Sequence, residues 1–229
     1  MNDLRTFWNT SNTAIPADKD PSAYATERAK LFPPNSVVCD LGGGIGTDSL
    51  FFASQGHTVK LLDISDKGLE QAKTAAAKLG LAKSIDTLQC DLNNARIPLA
   101  DKSYNIVYSR LSLHYFVPAV LTQLFSEIYR ILQPGGSAYL TLKGDSDKQE
   151  IQYLKQTAIS NEPGVFHEGS QIKTRFTRDE LAAMLHDAGL SVNEYTVSLY
   201  TEKLAGRKDR VKSGAAEFRL NEIIIHKAS

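Results

Sequence analysis

The segment Asp40–Gly46 constrains the fold of this chain most, because four of its seven residues are glycine and it closes an apolar run. That run, Ser36–Leu41, has the pattern of a buried strand, and Asp48–Gln55 follows with the periodicity of a helix. Glycine lets a backbone turn tightly and lets a ligand approach it closely. A strand, a glycine turn and a helix in this order predict a ligand cradle at the carboxyl end of a parallel strand.

The rest of the chain alternates short apolar runs with helical patterns. Further strands are predicted at His57–Asp63, Ile85–Cys90, Tyr104–Ser109 and Ala138–Leu142, with long helices at Lys67–Leu79 and Pro118–Leu132. This alternation predicts an α/β fold with a doubly wound, mostly parallel sheet and helices on both faces. Two later strand patterns, Ser191–Tyr200 and Phe218–His226, have only a loop between them and predict an antiparallel hairpin at the C-terminal edge.

Two regions flank or interrupt this pattern. Residues 1–35 show no clear strand and are expected to form a helical or irregular cover over a main domain at residues 36–229. After the fifth strand, Lys148–Ser160 has the pattern of a helix and Asn161–Lys173 reads as a polar connection. The next helix opens at Thr177, which stands three residues before Glu180 as in a capping box.

The spacing of the glycines narrows the choice of ligand. The dinucleotide fingerprint needs a third glycine where Thr47 stands, and Gly46 falls one residue early. A phosphate-binding loop needs a lysine that is absent from this segment. Asp40 adds a carboxylate beside the turn, which would repel a pyrophosphate and attract an ammonium group. The ligand is therefore expected to be cationic here and to carry no phosphate.

Two more acids close the next two strands. Asp63 follows the glycines by about 20 residues, a spacing at which a carboxylate accepts hydrogen bonds from ribose hydroxyls. Asp91 closes the third strand, where it can accept a hydrogen bond from an adenine amino group. Three acids at three successive strand ends predict an adenosyl site.

Composition excludes other classes of function. The formal net charge is zero, so the chain has no overall charge bias towards nucleic acid or an anionic membrane. The two cysteines, Cys39 and Cys90, lie in strand patterns without metal-ligand spacing, and no metal site is expected. No signal peptide and no membrane-length apolar run is found, so we expect a cytoplasmic enzyme without a membrane or nucleic-acid partner. The sequence leaves a monomer and a dimer equally open.

The segments Val37–Ser65, Cys90-Asp91, Tyr104–Phe116 and Leu132–Leu142 together resemble the class I S-adenosylmethionine-dependent methyltransferases. The resemblance covers about residues 36–143 and implies a seven-stranded sheet whose last strand is antiparallel, with S-adenosyl-L-methionine as cofactor. It implies that the glycine turn holds the methionine part, that Asp63 holds the ribose, and that an apolar side chain packs on the adenine. The residues it assigns to the cofactor are Asp40, Leu41, Gly42, Gly43, Gly44, Gly46, Asp63, Ile64, Asp91, Leu92 and, through its backbone, Arg110.

The methyl acceptor is less defined. His114, in the loop after the fourth strand, is the candidate catalytic residue, as a base or as a group that orients the substrate, although a purely structural role is equally open. Ser109–Ser112 stands where methyltransferases of planar amino groups carry Asn-Pro-Pro-Tyr, which favours a small-molecule acceptor. The segment of about residues 143–177, called the insert below, is expected to determine specificity. A protein or RNA acceptor, and a non-catalytic cofactor-binding protein, remain alternatives.

Three further groups of residues allow a functional or a structural interpretation. Phe7, Trp8 and Tyr24 either close over the cofactor or pack in the N-terminal cover. In the insert, His167, Arg175 and Phe176 either line a substrate pocket or lie on an exposed loop. The basic stretch of residues 203–212 either attracts an acidic partner or is a solvated turn.

Overall fold

A computed structural model describes residues 4–15, 20–203 and 217–229. The strands of its central sheet are β1 (Val37–Leu41), β2 (Thr58–Asp63), β3 (Ile85–Gln89), β4 (Tyr104–Arg110), β5 (Leu132–Lys143), β9 (Tyr195–Lys203) and β10 (Glu217–His226). They are arranged in the order β3-β2-β1-β4-β5-β10-β9. The predicted seven-stranded sheet is confirmed.

The direction of each strand follows from its pairing. Strands β1 to β5 are parallel, while β10 runs antiparallel to both β5 and β9. The C-terminal hairpin is therefore confirmed, and β9 points in the same direction as the first five strands. The chain leaves β1 in one direction towards β3 and then returns to place β4 on the other side of β1. This reversal of strand order makes the carboxyl ends of β1 and β4 the expected ligand site.

Helices cover both faces of the sheet, as predicted. Their bounds are α1 (Leu4–Thr13), α2 (Ala23–Arg28), α3 (Thr47–Ser54), α4 (Asp66–Lys78), α5 (Pro118–Ile131), α6 (Lys148–Thr157) and α7 (Arg178–Asp187). On one face, α5 buries Leu121, Leu124 and Phe125 completely in the larger hydrophobic core. Burying each of these side chains contributes about 1.5–3 kcal/mol, so this face fixes the position of β4 and β5.

Two helix starts agree with their sequence signals. The Ser65 hydroxyl accepts a hydrogen bond from the Gly68 N–H at the start of α4. At α7 the Thr177 hydroxyl and the Glu180 carboxylate form both halves of the capping box. These caps fix where α4 begins after β2 and where α7 begins after the insert.

The insert contradicts one prediction. Its helix, α6, is present, but the expected polar connection forms a small antiparallel sheet of β6 (Ile159–Glu162), β7 (Val165–Glu168) and β8 (Gln171–Thr174). Two-residue turns join these strands, and Gly164 and Gly169 adopt φ values of +72° and +63° in them. Glycine in tight turns is a hairpin signal, but each of these strands has only four residues, which is too short for a clear alternation of apolar and polar residues.

No helix within the described ranges combines the length and the apolar character needed to cross a membrane.

Candidate functional site

The glycine turn follows β1 and has a backbone that only glycine accommodates readily. Gly42 and Gly44 have φ values of +69° and +59°. A Cβ atom on Gly42 would lie 1.9 Å from the Ser112 Oγ, and one on Gly44 would lie 3.1 Å from the Asn12 Oδ1. The turn therefore needs glycine both for its conformation and for its close approach to the loop after β4 and to α1.

Two residues assigned to the cofactor also have packing roles. Gly46 is the N-cap of α3, and a Cβ atom on it would lie 2.9 Å from the Cβ of Ala72 on α4. The Leu41 side chain is completely buried in the larger core. Neither residue lines the cavities described below. This part of the motif holds α3, α4 and β1 together, and the assignment of both residues to the cofactor stays a prediction.

Asp40 lies beneath the turn rather than free at its mouth. Its carboxylate is almost completely buried and accepts a hydrogen bond from the Ser49 hydroxyl at 2.6 Å. Burial raises the pKa of Asp40 to about 7, although the bond from Ser49 opposes this shift. Asp40 still contributes to the wall of the larger cavity, so its charge acts on that cavity from below.

Asp63 connects the turn to the start of α4. One carboxylate oxygen accepts the Gly44 N–H and the other accepts the Ser65 N–H, both at 2.8 Å. Burial raises the pKa of Asp63, and these backbone bonds partly offset the shift. Asp63 also lines the smaller cavity. It therefore shapes the turn in addition to lining this cavity, a structural role that the sequence did not indicate.

Two neighbouring cavities lie at this edge of the sheet, with volumes of about 460 Å³ and 100 Å³. Both are lined by Asn12, Gly42 and Gly44, so the turn forms their common wall. The smaller one brings together four of the predicted cofactor residues, namely Asp63, Ile64, Asp91 and Leu92. The larger one has four acids at its wall, Asp20, Asp40, Asp48 and Glu202.

Helix α1 covers the smaller cavity. Trp8 lies in its wall, with its ring edge-on to that of Tyr115 at a centroid distance of 4.8 Å. Asn9 accepts a hydrogen bond from the Ser65 hydroxyl at 2.7 Å, and Asn12 is buried at the common wall. Sequence reasoning missed both asparagines, because polar residues in a short amphipathic helix give no sign of pointing inward. Tyr24 is completely buried in the core behind β4 and lies outside both cavities.

Arg110, at the end of β4, contributes its side chain to the larger cavity. Its Nη2 atom donates to both carboxylate oxygens of Glu202 at 2.8 and 2.6 Å, while its buried Nε has no hydrogen-bond partner. Beside it, the Tyr108 hydroxyl donates to Asp48 at 2.8 Å. The sequence suggested only a backbone contact for Arg110, because Glu202 is 92 positions away and no local pattern connects the two.

The cavities fit an adenosyl ligand with a cationic amino-acid part. Ile64 and Leu92 provide apolar surface for a base, and Asp63 and Asp91 provide acceptors for hydroxyl and amino groups. The turn itself carries backbone N–H groups and the buried Asp40, with no lysine or arginine to bind a pyrophosphate. S-adenosylmethionine has the matching groups: adenine, a ribose diol, a sulfonium and an amino acid.

Comparison with known proteins agrees with this geometry. A family model described as a methyltransferase domain matches residues 38–136. A curated methyltransferase from Synechocystis is 33% identical over 103 residues, which are 45% of this chain and 45% of that protein. A solved S-adenosylmethionine-dependent methyltransferase from Methanosarcina mazei superposes with a TM-score of 0.70 at 21% identity, over 92% of this chain and 99% of that one.

Residues 38–136 are therefore similar to a methyltransferase domain, and the chain shares the fold of solved S-adenosylmethionine-dependent methyltransferases. These similarities support S-adenosyl-L-methionine as the cofactor. A Burkholderia thailandensis N1-methyltransferase solved with 1,6-didemethyltoxoflavin and S-adenosylhomocysteine also shares the fold, with a TM-score of 0.65 and 17% identity over 99% of this chain and 88% of that one.

The acceptors named for the relatives of this chain are diverse. They include a sterol, malonyl-acyl-carrier protein and a tRNA 5-carboxymethoxyuridine. The chain spans less than half the length of the first curated relatives it matches. The expectation that nucleic acid is not an acceptor stays a prediction.

His114 is buried in the short turn after β4. Its Nδ1 atom has no hydrogen-bond partner, and its ring lies 4.3 Å from that of Tyr115 between centroids. Burial lowers the pKa of His114 well below its ordinary value, and the charges of Arg175, Lys143 and Lys173 lower it further. The ring is therefore neutral at pH 7. It lies behind Tyr115, outside the walls of both cavities.

The remaining candidate residues divide between the interior and the surface. Arg175 and Phe176 are buried, so the exposed-loop interpretation is wrong for them, whereas His167 is exposed. Lys203 lines the larger cavity. The rest of the basic stretch, residues 204–212, lies outside the described residues. Among the described side chains, no cluster of three or more potential metal ligands is found.

Proposed function

We propose that this protein transfers the methyl group of S-adenosyl-L-methionine to a small molecule. The observation that carries the proposal is the pair of cavities that meet at the glycine turn. The lining of the smaller one offers apolar surface and carboxylates that suit an adenine and a ribose, and the larger one, at about 460 Å³, falls in the range of roughly 300–1,000 Å³ common for small-molecule sites. Its volume leaves room for an acceptor beside the methionine part.

The residue roles follow from the two sets of lining groups. In the smaller cavity we assign Asp63 to the ribose hydroxyls, Ile64 and Leu92 to the faces of the adenine, and Asp91 to its amino group. In the larger cavity Asp40 and the backbone of Gly42–Gly44 hold the methionine part. Its ammonium group is favoured by the nearby carboxylates.

Arg110 is assigned to the methionine carboxylate, because its Nε is buried without a partner at the wall of that cavity. Arg110→Met should then weaken S-adenosylhomocysteine binding but leave the affinity for 5′-methylthioadenosine, which lacks the amino acid, unchanged. Equal losses for the two ligands in a calorimetric titration would remove the side chain from this role.

The chemistry needs alignment more than acid or base groups. When bound, the cofactor supplies an electrophilic methyl group on a cationic sulfur. The chain holds that group and the nucleophile in line and excludes water. A base is needed only where the nucleophile must lose a proton. The lowered pKa of His114 makes it a weak base, and His114 lines neither cavity, so we assign it no proton transfer.

The test uses cofactor with a labelled methyl group and separated fractions of a cell extract. Label should enter the small-metabolite fraction with the wild-type protein, and Asp63→Ala should abolish it. Label found only in RNA or in protein would overturn the small-molecule acceptor and favour the macromolecular alternative. Cofactor binding without transfer to any fraction would favour a non-catalytic binding protein.

A further inference from the structure

The wall of the larger cavity contains a carboxylate that the cofactor assignments above do not use. This is Asp48, in the first turn of α3 and two residues after the glycine turn. It is half-buried, and it accepts hydrogen bonds from the Ser22 N–H, the Ser22 hydroxyl and the Tyr108 hydroxyl, all at 2.8 Å. These donors are neutral, so they orient the carboxylate without balancing its charge.

The donors to Asp48 hold it rigidly and leave room for one more. Tyr108 is 1% exposed in β4, and the Ser22 hydroxyl also caps α2 by accepting the Ala25 N–H. Two of the three hydrogen bonds go to the Asp48 Oδ2 atom, and its Oδ1 atom accepts only the Ser22 N–H. A carboxylate oxygen has two lone pairs, so Oδ1 can accept a further bond from a ligand in the cavity.

The charges at this wall leave Asp48 without an ionic partner. The described side chains that line the larger cavity include four acids and two bases, namely Asp20, Asp40, Asp48, Glu202, Arg110 and Lys203. Both oxygens of Glu202 accept from Arg110. Asp20 and Lys203 are exposed, so water screens their charges. Within the described part of the chain, no lysine or arginine forms an ion pair with Asp48.

The cofactor balances only part of this negative charge. Its sulfonium and ammonium groups carry two positive charges and its carboxylate one negative charge, so it offsets one of the two excess charges of the lining. The pKa of Asp40 is about 7 because of burial, and a bound cation favours its ionised form. With Asp40 opposite the ammonium group, one negative charge remains in the cavity, and Asp48 is the half-buried carboxylate that carries it.

We propose that the methyl acceptor is an amine and that Asp48 binds its nitrogen. This inference rests on the proposed function, because it identifies the chemical class of the small-molecule acceptor. An amine N–H would donate to the Asp48 Oδ1 atom in a charge-assisted hydrogen bond. A carboxylic acid or a phosphate ester would instead bring a second negative charge beside Asp48, which opposes its binding.

The charge movement of the reaction also fits an amine. The lone pair of the neutral nitrogen attacks the methyl carbon, a carbon–nitrogen bond forms, and the carbon–sulfur bond breaks with its electron pair left on sulfur. The positive charge thereby passes from sulfur to nitrogen, and the methylated ammonium group then releases a proton to water. A fixed carboxylate at the nitrogen stabilises the charge that develops there, and Ser22 and Tyr108 hold Asp48 ready for it.

The first test is binding to the wild-type protein saturated with S-adenosylhomocysteine. Butylamine and benzylamine, which as ammonium ions resemble the charged product, should raise its melting temperature. Butanol and benzyl alcohol have the same shape without the charge and should not. Asp48→Asn should abolish the stabilisation by the amines. Asp86→Asn, which changes an exposed carboxylate outside both cavities, is the matched control and should keep it. Equal stabilisation by amines and alcohols, or none by either amine, overturns the inference.

The second test is turnover and separates acceptor binding from a structural role. With amines found in the labelled-cofactor screen, Asp48→Asn should lower kcat/KM by about 100-fold, as expected for the loss of a charge-assisted hydrogen bond. Asp48→Glu, which keeps the charge, should recover part of the loss, and the affinity of Asp48→Asn for S-adenosylhomocysteine should fall far less. A purely structural Asp48 would lower that affinity and kcat/KM by the same factor. If Asp48→Asn fails to fold, the comparison of amines with alcohols on the wild type decides.

The labelled-cofactor screen distinguishes failure of this inference from failure of the proposed function. With the wild type, label should enter metabolites that a cation-exchange resin retains. Label found instead in alcohols, thiols or carboxylic acids overturns the amine and leaves transfer to a small molecule intact. Label found only in RNA or protein, or loss of S-adenosylhomocysteine binding by the wild type itself, contradicts the proposed function.

Discussion

The glycine turn and the insert lie at the same edge of the sheet, but different kinds of contact hold them in place. In the turn, backbone N–H groups bond to the nearby Asp63, which is 19 positions from Gly44. In the insert, side-chain charges meet across the fold, and an Arg175 guanidinium nitrogen lies 3.0 Å from a Glu150 carboxylate oxygen. A backbone motif tolerates few residue types at each position, whereas a group of charges can be assembled from many. The turn can therefore be common to a family while the insert differs from member to member.

The largest effect should come from Asp63→Ala. The substitution removes the proposed partner of both ribose hydroxyls and the acceptor for the Gly44 and Ser65 N–H groups. Two charge-assisted bonds of about 1.5–3 kcal/mol each predict a loss of S-adenosylhomocysteine affinity of about 10²- to 10⁴-fold. Isothermal titration calorimetry measures it.

A matched variant is Asp86→Ala, which removes an exposed carboxylate on the neighbouring strand β3. It should leave the affinity within about twofold. If Asp63→Ala bound as tightly as Asp86→Ala, the backbone motif would not be a cofactor site at all, and the contrast between the two regions would lose its basis.

The sequence predicts more of the glycine turn than of the insert, and the reasons are physical. The strands, the long helices and the acids at the ends of β2 and β3 were predicted because local periodicity and short motifs determine them. Leu41 and Gly46 were assigned to the cofactor by resemblance, although one packs in the core and the other against Ala72. A sequence motif shows which residue types are present. It does not show whether a residue packs against the protein or contacts a ligand.

What the sequence did not reveal depends on distant pairs. Asn12 meets Gly44, and Arg110 meets Glu202, only because the fold brings α1 and β9 to the edge of the sheet. The strands of the insert were missed because their alternation is polar and only their turns contain glycine. Such contacts have no local periodicity, so propensity and spacing cannot indicate them.

The next effect concerns the pH dependence of stability through Asp40. Its pKa is raised from 3.8 to about 7 by burial, so the folded protein binds a proton that the unfolded chain releases between these values. The free energy of unfolding should fall as pH rises from about 4 to 7, by a few kcal/mol in total. Asp40→Asn should remove this slope and be more stable than the wild type at pH 7.

Urea unfolding at several pH values measures the slope, and S-adenosylmethionine titrations at the same values add a second comparison. Cofactor affinity of the wild type should rise through pH 7, because the ionised carboxylate attracts the cationic ligand. Parallel stability curves for wild type and Asp40→Asn would mean that the buried carboxyl titrates as it does in the unfolded chain.

A smaller effect is expected from substituting glycines. It distinguishes the strain of a left-handed backbone from a collision between the glycine turn and the loop after β4. Gly42→Ala places a methyl group 1.9 Å from the Ser112 Oγ at a φ of +69°, whereas Gly80→Ala has nearly the same φ, +72°, with no atom within 4 Å. Both should lose about 1–2 kcal/mol of stability from the left-handed conformation. Only Gly42→Ala should also lose S-adenosylhomocysteine affinity, by about tenfold.

Adding Ser112→Gly to Gly42→Ala should restore part of that affinity, because it removes the atoms with which the new methyl group collides. Thermal unfolding and calorimetry on the three variants measure both effects. Equal affinity for Gly42→Ala and Gly80→Ala would show that the turn relaxes away from the loop after β4 without harm to the ligand.

The smallest effect tests whether α1 contacts the cofactor or only covers the smaller cavity. Asn12 is the one described residue outside the glycine turn that lines both cavities, and its buried Nδ2 has no partner. A ligand that accepted one hydrogen bond from this amide would gain about 1 kcal/mol, so Asn12→Ala should weaken S-adenosylhomocysteine binding about fivefold. Thr6→Ala, an exposed change on the same helix, should leave binding unchanged. If both variants bound equally well, α1 would be a cover alone, and the cofactor contacts would come entirely from the strand ends and their loops.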